Sequence, residues 1–542
     1  MLLRHGAALC ATFLLSACTT WHQVPPERLD EAGALARTHY QAEILSEDGV
    51  KLRFTVFQPA LAPGARAPLL VQLHPFGLWR MSRPNTLLSH AQISGDVVRQ
   101  AWKGGYWVIS IDQRGHGSSG GVMHIADPEK EARDLARVLD WAQQNLALAA
   151  IDGDPRVGMI GESYGAGLQL VASARDPRID ALIPIGGWYD LERVLAPNDV
   201  PKSGWLTILV LAGNTIAKYD RRLNGAYRRA RQGHIDQWVR DEFDDNDVGW
   251  FCERGQAPQA DALLLNGYRD VLFPANEGFD IHRCLVDAGR DARLITVADG
   301  HLLPGTQRSP GWLVGWHIEK ELDCGGQKQK TADVMYAWLE AKLRDREDLL
   351  AGVPTYCLTG DPAIDALGGP PPTVPVALGK AHIGTGMSGM VEWIARPLDH
   401  VRNWFVPAHL PDDWQTPQNG GLRPARIPLA VMARPTWVVG VPRATITVSD
   451  TDREDAVVFL RVAAWRPGSG SYRVLSEQVT PLRGAGTHEI DLMAVRGKLE
   501  AGEVLGLLAQ GYNAQYRFSG SGFGTDAAVG GHVDIPMAPA GR

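Results

Sequence analysis

Short apolar runs alternate with segments of helical periodicity through the first two thirds of the chain. The runs of strand length cover residues 68–73, 106–111, 157–160, 181–185, 262–265 and 293–297. Between two of them, apolar residues from Ala132 to Ala142 recur at the spacing of one helix face. Asp127 can cap this helix, and Pro128 suits its first position. Strands that alternate with helices predict a parallel sheet covered on both faces.

The pattern changes twice along the chain. Residues 190–255 are rich in Trp and charge and helical in pattern, which predicts a helical cap inserted between strands. A helix over 331–343 closes the first domain, and the Pro- and Gly-rich segment 366–375 is typical of a linker. From residue 421 onward, short strand-like runs are separated by turn residues, which favours a β-sandwich or jelly roll. Those runs cover residues 445–449, 457–463, 472–479 and 487–492.

The first residues resemble a bacterial export signal. Arg4 supplies a positive charge, and the apolar run from Ala7 to Leu15 is too short to span a bilayer. Leu15-Ser16-Ala17-Cys18 resembles a lipobox, which predicts cleavage before Cys18, lipidation of its thiol, and anchoring at a bacterial membrane facing the periplasm or exterior. The alternative is a plain signal peptide followed by an incidental cysteine.

These patterns divide the chain into segments. We predict a lipoprotein signal peptide over 1–17, an α/β domain over 18–350 with its cap at 190–255, and a β-sandwich or jelly roll over 421–542. Residues 351–420 are assigned as linker or left unassigned. The chain of 542 residues is long enough for two or three domains. A net charge of −7 without long single-sign runs argues against nucleic acid as the main partner.

Four of the six cysteines follow the leader: Cys252, Cys284, Cys324 and Cys357. Disulfides are plausible in an oxidising compartment, and four cysteines permit three pairings among which the sequence cannot choose. Our hypothesis is Cys252–Cys284 and Cys324–Cys357, and free thiols are the alternative. No CxxC or His-rich spacing predicts a metal site.

The segment Gly161-Glu162-Ser163-Tyr164-Gly165 fits G-x-S-x-G and lies between a predicted strand and a predicted helix. In that context the serine lies on a tight turn that directs its Oγ outward. The amide of Tyr164 can then point at a developing oxyanion. A glycine-rich turn without catalytic function is the alternative.

A serine nucleophile needs a base and an acid that orients the base, in the chain order Ser, acid, His. Asp270 follows the strand at 262–265, and His301 follows the next strand, which predicts both partners. Asp190 is the rival acid, since it follows an earlier strand, and Asp299 competes only if the turn is shifted. His301 could also be a surface loop histidine. His74 and His116 precede the serine and are interpreted as structural or pocket-lining.

A second oxyanion donor is expected after the strand at 68–73. The segment Leu73-His74-Pro75-Phe76-Gly77 occupies that position, so the Phe76 amide is the candidate. A simple loop turn is the alternative.

Together these segments resemble the Xaa-Pro dipeptidyl-peptidase and cocaine esterase family of serine hydrolases. The likeness covers residues 45–535 and is strongest over 70–305. The segments that carry it are Asp112-Gln-Arg114-Gly115-His-Gly117-Ser-Ser119-Gly-Gly121, Leu139-Asp-Trp141, Arg156-Val-Gly158-Met-Ile-Gly161-Glu-Ser163-Tyr164, Gly267 with Asp270, Gly300 with His301, Gly440-Val-Pro442, Asp491-Leu492 and Ala501-Gly502-Glu503.

The resemblance implies an α/β-hydrolase catalytic domain over 18–350 and a galactose-binding-like jelly roll over 421–542. It also implies hydrolysis of an ester or amide through an acyl-enzyme, without a cofactor. This sequence departs from the family pattern at one position. The family often has a tyrosine there, whose hydroxyl assists the oxyanion, whereas this chain has Phe76. Arg114 is interpreted as structural.

Three functions remain open: an esterase or amidase on small acyl substrates, an Xaa-Pro-type peptidase on short peptides, and a non-catalytic envelope lipoprotein that binds glycan or protein partners through its sandwich. A peptidase of this type needs an acidic anchor for the substrate amine. Glu162 and the acidic run at 241–245 are possible anchors, although a solvated charged face is the simpler interpretation. Four tryptophans could form an apolar acyl site: Trp188, Trp205, Trp238 and Trp250.

Overall fold

The computed structural model describes residues 33–86, 89–90, 92–232, 234–298, 300–302, 315–316, 319–358, 360–385, 424–451, 456–476, 478–511, 513–516 and 525–540. The predicted signal peptide, Cys18 and Asp299 lie outside these ranges. Within them, no helix combines the length and apolar character needed to cross a membrane.

A mixed sheet of nine described strands forms the centre of the first domain, in the order β1-β2-β4-β3-β5-β6-β7-β8-β9. The strands are β1 (Thr38–Leu45), β2 (Lys51–Gln58), β3 (Leu69–Leu73), β4 (Trp107–Asp112), β5 (Val157–Glu162), β6 (Ala181–Ile185), β7 (Asp261–Gly267), β8 (Ala292–Val297) and β9 (Tyr356–Cys357). From β4 to β9 neighbouring strands are parallel, whereas β1 and β2 add an antiparallel edge. The α/β prediction is therefore confirmed, with a sheet that is mixed rather than purely parallel.

Five helices cover the two faces of this sheet: α1 (Ile93–Lys103), α2 (Glu131–Asn145), α3 (Tyr164–Arg175), and, after the cap, α9 (Ala275–Asp287) and α10 (Thr331–Arg344). One apolar cluster contains residues of α2, α3 and α9, and the other contains residues of α1 and α10. Adjacent strand residues alternate between the clusters, as Leu70 and Val71 do. Each face is thus buried by its own helices.

Helix α2 begins at Glu131, so the prediction that it opens at Asp127 and Pro128 is wrong. The carboxylate of Asp127 accepts from the amide of Glu129 at 2.7 Å and closes a turn there. The Glu131 carboxylate in turn accepts from the amides of His124 and Asp127 at 2.7 and 2.8 Å. These hydrogen bonds satisfy the amides of residues that precede the first turn of the helix.

The described residues of the predicted cap form five α-helices between β6 and β7. They are α4 (Leu191–Leu195), α5 (Ser203–Thr215), α6 (Arg222–Ala230), α7 (Gln237–Asp244) and α8 (Val248–Glu253). Disulfides join Cys252 to Cys284 and Cys324 to Cys357, which confirms both predicted pairs. The first links the cap helix α8 to α9, and the second links a hairpin (Glu321–Cys324 with Gln327–Lys330) to β9.

The C-terminal region is mostly β-strand and forms two described sheets that share one apolar core. The strands are β10 (Thr373–Thr385), β11 (Ala425–Val431), β12 (Thr436–Gly440), β13 (Arg443–Ser449), β14 (Val457–Trp465), β15 (Arg473–Val474), β16 (Thr480–Arg483), β17 (Gly486–Asp491), β18 (Val495–Leu499), β19 (Val504–Gln510) and β20 (Thr525–Pro539).

Two features of this region differ from the sequence expectations. Strand β10 lies within the segment left as linker or unassigned, and its partner β20 follows about 150 residues later, so no local pattern reveals the pairing. The single strand predicted over 472–479 is interrupted between β15 and β16. Side chains of that interruption turn toward the first domain.

Candidate active site

Ser163 occupies a sharp turn between β5 and α3, with backbone angles φ 55° and ψ −115°. A side chain at Gly161 would lie 2.6 Å from the Gly165 carbonyl oxygen, and one at Gly165 would lie 2.7 Å from the Leu73 carbonyl oxygen. Only glycine permits this close packing. The turn is therefore the strained strand-to-helix arrangement expected for a nucleophilic serine.

The structure brings Ser163, His301 and Asp270 into one hydrogen-bonded chain. His301 Nε2 lies 2.8 Å from Ser163 Oγ, and His301 Nδ1 lies 2.6 Å from Asp270 Oδ2. All three side chains are buried. This arrangement lets the imidazole accept the hydroxyl proton while the carboxylate holds the opposite ring nitrogen.

The Asp270 carboxylate is held by three backbone amides, two from its own loop and one from His301. Asp270 Oδ1 accepts from the amides of Leu272 and Phe273 at 2.8 and 2.7 Å, and Oδ2 accepts from the amide of His301 at 3.0 Å. The rival Asp190 instead caps α4 by accepting from the Arg193 amide at 2.7 Å. Of these two acids, the imidazole contacts Asp270.

The candidate oxyanion donors, Tyr164 and Phe76, both border the cavity beside Ser163. Neither of their amides donates a hydrogen bond to another of the described residues, which leaves both for a ligand. The Tyr164 hydroxyl is engaged elsewhere, since it donates to Glu131 at 3.0 Å. The Phe76 ring packs edge-on against His116, with ring centroids 5.6 Å apart.

His74 and His116 lie in this same loop region and are both buried. His74 Nε2 accepts from the Gln113 amide at 3.3 Å, and the two imidazoles pack edge-on at 5.1 Å. Burial lowers the pKa of His116 to about 3, so its ring is neutral at physiological pH. Their contacts are those of packed residues, as the sequence interpretation expects.

A cavity beside Ser163 is partly covered by the cap, and its surface is almost entirely apolar. Its lining combines the strand-end residues Phe76, Met123, Ile125, Trp188, Leu272 and Phe273 with cap residues such as Leu206, Leu209, Leu223, Ala226, Val239 and Phe243. The carboxylates at its border are Glu192 and Asp236. Glu192 is paired with Arg240 and Asp236 with Arg229, so each already has a cationic partner.

Of the four tryptophans, Trp188 lines the cavity and Trp205 packs edge-on against the His301 ring at 5.9 Å. Trp238 and Trp250 instead carry arginine side chains on their faces, those of Arg222 and Arg254.

The two candidate amine anchors have other environments. Glu162 is buried and its Oε1 accepts from the Ser94 amide at 2.8 Å; it is neither a solvated charge nor part of the cavity lining. In the acidic run, Asp241, Asp244 and Asp245 are exposed, as a solvated face requires. Arg114 pairs with Asp134 at 2.8 Å and also with Asp48, which agrees with its interpretation as structural.

Sequence reasoning missed the strained loop that borders the cavity. Ile125 and Ala126 have φ values of 61° and 64°, an uncommon conformation for residues other than glycine and most of all for a β-branched one. The loop is held by Tyr164, whose hydroxyl accepts from the Ala126 amide at 3.0 Å. Because neither residue is glycine or asparagine, no sequence signal marks this turn.

Comparison with known proteins places residues 48–301 in a match to the family described as X-Pro dipeptidyl-peptidase (S15 family). Among curated proteins, the chain is 29% identical over 79 residues to an uncharacterised 31.7 kDa protein of Escherichia coli encoded between traX and finO. That match spans 15% of this chain and about a quarter, 26%, of the relative.

Three solved structures are similar over nearly the whole chain. An α-amino acid ester hydrolase has a TM-score of 0.61 and 14% identity, and the match covers 95% of this chain and 100% of that one. An aminopeptidase from a marine sediment Thaumarchaeota archaeon has a TM-score of 0.58 and 14% identity, with 96% and 99% covered. A CocE/NonD family hydrolase from Staphylococcus aureus has a TM-score of 0.58 and 12% identity, with 96% and 99% covered. At these identities the similarity concerns the fold.

Proposed function

Since residues 48–301 match the X-Pro dipeptidyl-peptidase (S15) family, we propose that the chain is a serine hydrolase of that family, with Ser163, His301 and Asp270 as its catalytic triad. The observation that carries this proposal is the continuous chain of hydrogen bonds at 2.8 and 2.6 Å from the serine hydroxyl to the buried carboxylate. The same geometry supports a serine hydrolase of the esterase or peptidase kind.

In the proposed first half-reaction, Ser163 Oγ attacks the substrate carbonyl carbon while His301 Nε2 takes the hydroxyl proton. The carbonyl oxygen becomes an oxyanion that the amides of Tyr164 and Phe76 stabilise. The imidazolium returns its proton to the leaving alcohol or amine as the carbon–leaving-group bond breaks. Asp270 retains its charge and stabilises the imidazolium.

In the second half-reaction, the alcohol or amine has left, and water attacks the carbonyl carbon of the acyl-enzyme. His301 accepts a proton from the water and returns one to Ser163 Oγ, which releases the carboxylic acid and restores the enzyme. Because Phe76 carries no hydroxyl, both proposed oxyanion donors are backbone amides.

We propose that the preferred substrate is an ester with an apolar acyl group. The cavity beside Ser163 offers aliphatic and aromatic surface, and its two bordering carboxylates are already paired with arginines. A peptide with a free amine would have to share one of these carboxylates with its arginine to find a counter-charge there. Apolar contact with an acyl chain stabilises binding by about 0.8 kcal/mol for each buried CH₂.

Three proteins that begin at Thr19 are compared in the test: the wild type, Ser163→Ala and the control Ser469→Ala. We expect hydrolysis of p-nitrophenyl esters that increases with acyl length, little hydrolysis of Xaa-Pro-p-nitroanilides, and labelling by a fluorophosphonate probe. Ser163→Ala should lose turnover and labelling, and Ser469→Ala should keep both. A wild type that is folded yet neither turns over nor labels would contradict the proposal. A preference for the anilides would show that the enzyme is a peptidase and would contradict the proposed esterase activity.

We also propose that the protein is exported and lipid-anchored through Cys18, and that the C-terminal sheets form a jelly roll of the galactose-binding type. The two disulfides support export, since such bonds persist in oxidising compartments. Mass spectrometry of the N-terminal peptide from the native host would detect a diacylglyceryl group on Cys18. An unmodified Cys18 in the mature protein would contradict the anchor.

A further inference from the structure

The C-terminal sheets reach the loop that carries the acid of the proposed triad. Gln478 lies between β15 and β16, is 1% exposed, and its Nε2 donates a hydrogen bond to the backbone carbonyl of Asp270. Nearby, Ser476 Oγ donates to the carbonyl of Tyr268 at 3.4 Å. Two side chains of the C-terminal region thus bind backbone carbonyls at the end of β7.

The peptide group between Asp270 and Val271 is held at both of its polar atoms. Its carbonyl oxygen accepts from Gln478, and its N–H donates to the carbonyl of His301 at 2.9 Å. This one peptide plane therefore joins the C-terminal sheets, the acid and the base. Rotation of the plane would move the Asp270 backbone relative to His301 and disturb the 2.6 Å contact between their side chains.

The other end of the acid loop is held from the cap. Lys202 is fully buried, and its Nζ donates to the carbonyl of Leu272 at 3.0 Å. The amide of the same Leu272 donates to Asp270 Oδ1. The loop is therefore bound from the cap on one side and from the C-terminal sheets on the other.

We infer that Gln478 is a positioning residue, through which the C-terminal region sets the geometry of Asp270 for the hydrolysis reaction. This inference rests on the proposed triad. Only the amide nitrogen of Gln478 can donate to a carbonyl, and its Oε1 has no hydrogen-bond partner among the described residues. The side chain therefore contributes one specific bond, directed at the acid loop.

Two substitutions test the bond. Gln478→Met keeps the length and volume of the side chain but removes the donor. Gln478→Glu places a carboxylate against the Asp270 carbonyl when ionised and restores a donor when protonated. Asn276→Ala is the matched control, because Asn276 also bridges the two regions, donating to the Leu492 carbonyl at 3.0 Å and accepting from the Ala494 amide at 2.7 Å. Both of these hydrogen bonds are made to the C-terminal region and neither to the loop that carries Asp270.

We expect Gln478→Met to lower kcat for a p-nitrophenyl ester by roughly tenfold, with KM unchanged, since small displacements of a catalytic group reduce rate more than binding. The rate of fluorophosphonate labelling should fall in parallel. The kcat of Gln478→Glu should approach that of the wild type as the pH is lowered toward 5. Above pH 7 it should be lower than the wild-type kcat measured at the same pH. Asn276→Ala should stay within about twofold of wild type in both assays.

Circular dichroism and thermal unfolding establish that each variant is folded. Wild-type kcat and labelling rates in Gln478→Met would overturn the inference, as would equal losses in Gln478→Met and Asn276→Ala, which would indicate general docking of the two regions. If Gln478→Met does not fold, the activity of Gln478→Glu relative to wild type becomes the test. A relative activity that does not vary with pH overturns the inference. Absence of labelling in the wild type would instead overturn the triad on which it rests.

Discussion

His301 and Asp270 are joined by two hydrogen bonds to a single carboxylate oxygen. Asp270 Oδ2 lies 2.6 Å from the imidazole Nδ1 and 3.0 Å from the backbone nitrogen of the same histidine. The acid therefore determines both the orientation of the ring and the position of the residue that carries it. Loss of the negative oxygen should affect catalysis far more than the loss of an ordinary buried hydrogen bond.

The first prediction follows from this pair. Asp270→Asn should reduce kcat by about 10⁴-fold, because an amide that presents N–H to Nδ1 selects the wrong imidazole tautomer. Ester hydrolysis under saturating substrate measures the effect. Asp190→Asn is the matched control, since asparagine also caps helices well, and it should keep near wild-type kcat. Equal losses in the two variants would contradict the assignment of Asp270 as the acid.

The second prediction concerns Glu162, the residue before the proposed nucleophile. Burial raises the pKa of Glu162 from an ordinary value of 4.5 to about 7. Between these pH values the folded chain keeps a proton that the unfolded chain releases, so the free energy of unfolding should fall as the pH rises, by up to about 3 kcal/mol in total. Glu162→Gln cannot titrate and should lose less stability over this range.

Urea unfolding at pH values from 4.5 to 8 measures the difference between wild type and Glu162→Gln. Glu321→Gln, at an exposed position, should follow the wild-type curve. If Glu162→Gln and wild type show the same pH dependence, the Glu162 carboxyl is ionised throughout the range and the prediction fails.

The third prediction concerns acyl-chain specificity. Ala226 lines the cavity from the cap helix α6, so Ala226→Phe should fill part of it. We expect kcat/KM for a p-nitrophenyl octanoate to fall by at least tenfold relative to p-nitrophenyl acetate, since several methylene groups lose their contacts. Leu211→Phe, at a position 64% exposed on α5, should leave the ratio unchanged. An unchanged ratio in Ala226→Phe would mean that acyl groups bind elsewhere.

The fourth prediction compares the two disulfides, whose cysteines are separated by 32 and 33 residues in sequence. Loop-closure entropy predicts that replacing either pair by serine destabilises the fold by a similar amount, about 3 to 4 kcal/mol. Only the Cys252–Cys284 pair joins the cap to α9. Loss of the Cys252–Cys284 disulfide should therefore also raise KM for long-chain esters. Loss of Cys324–Cys357 should lower the melting temperature and leave this KM unchanged. Equal KM values in the two variants would contradict a role in holding the cap.

Local sequence patterns predicted the elements that carry the candidate triad. Apolar runs marked the central strands, and Gly161 and Gly165 marked the turn, because tight packing there admits no side chain. The order Ser163, Asp270, His301 followed from the positions of strand ends. Because these features depend on a few neighbouring residues, the sequence alone predicts them.

Contacts between side chains that are distant in sequence depend on the tertiary structure. It selected Asp270 over Asp190 by placing the imidazole against the former, paired β10 with a strand about 150 residues away, and brought Gln478 to the Asp270 carbonyl across 208 positions. It also gathered apolar side chains of the cap and of the central-sheet loops around one cavity, and paired the carboxylates at its border with arginines. Such contacts depend on strand order and on how the cap and C-terminal sheets pack onto the central sheet, and local hydrophobic patterns carry no information about either.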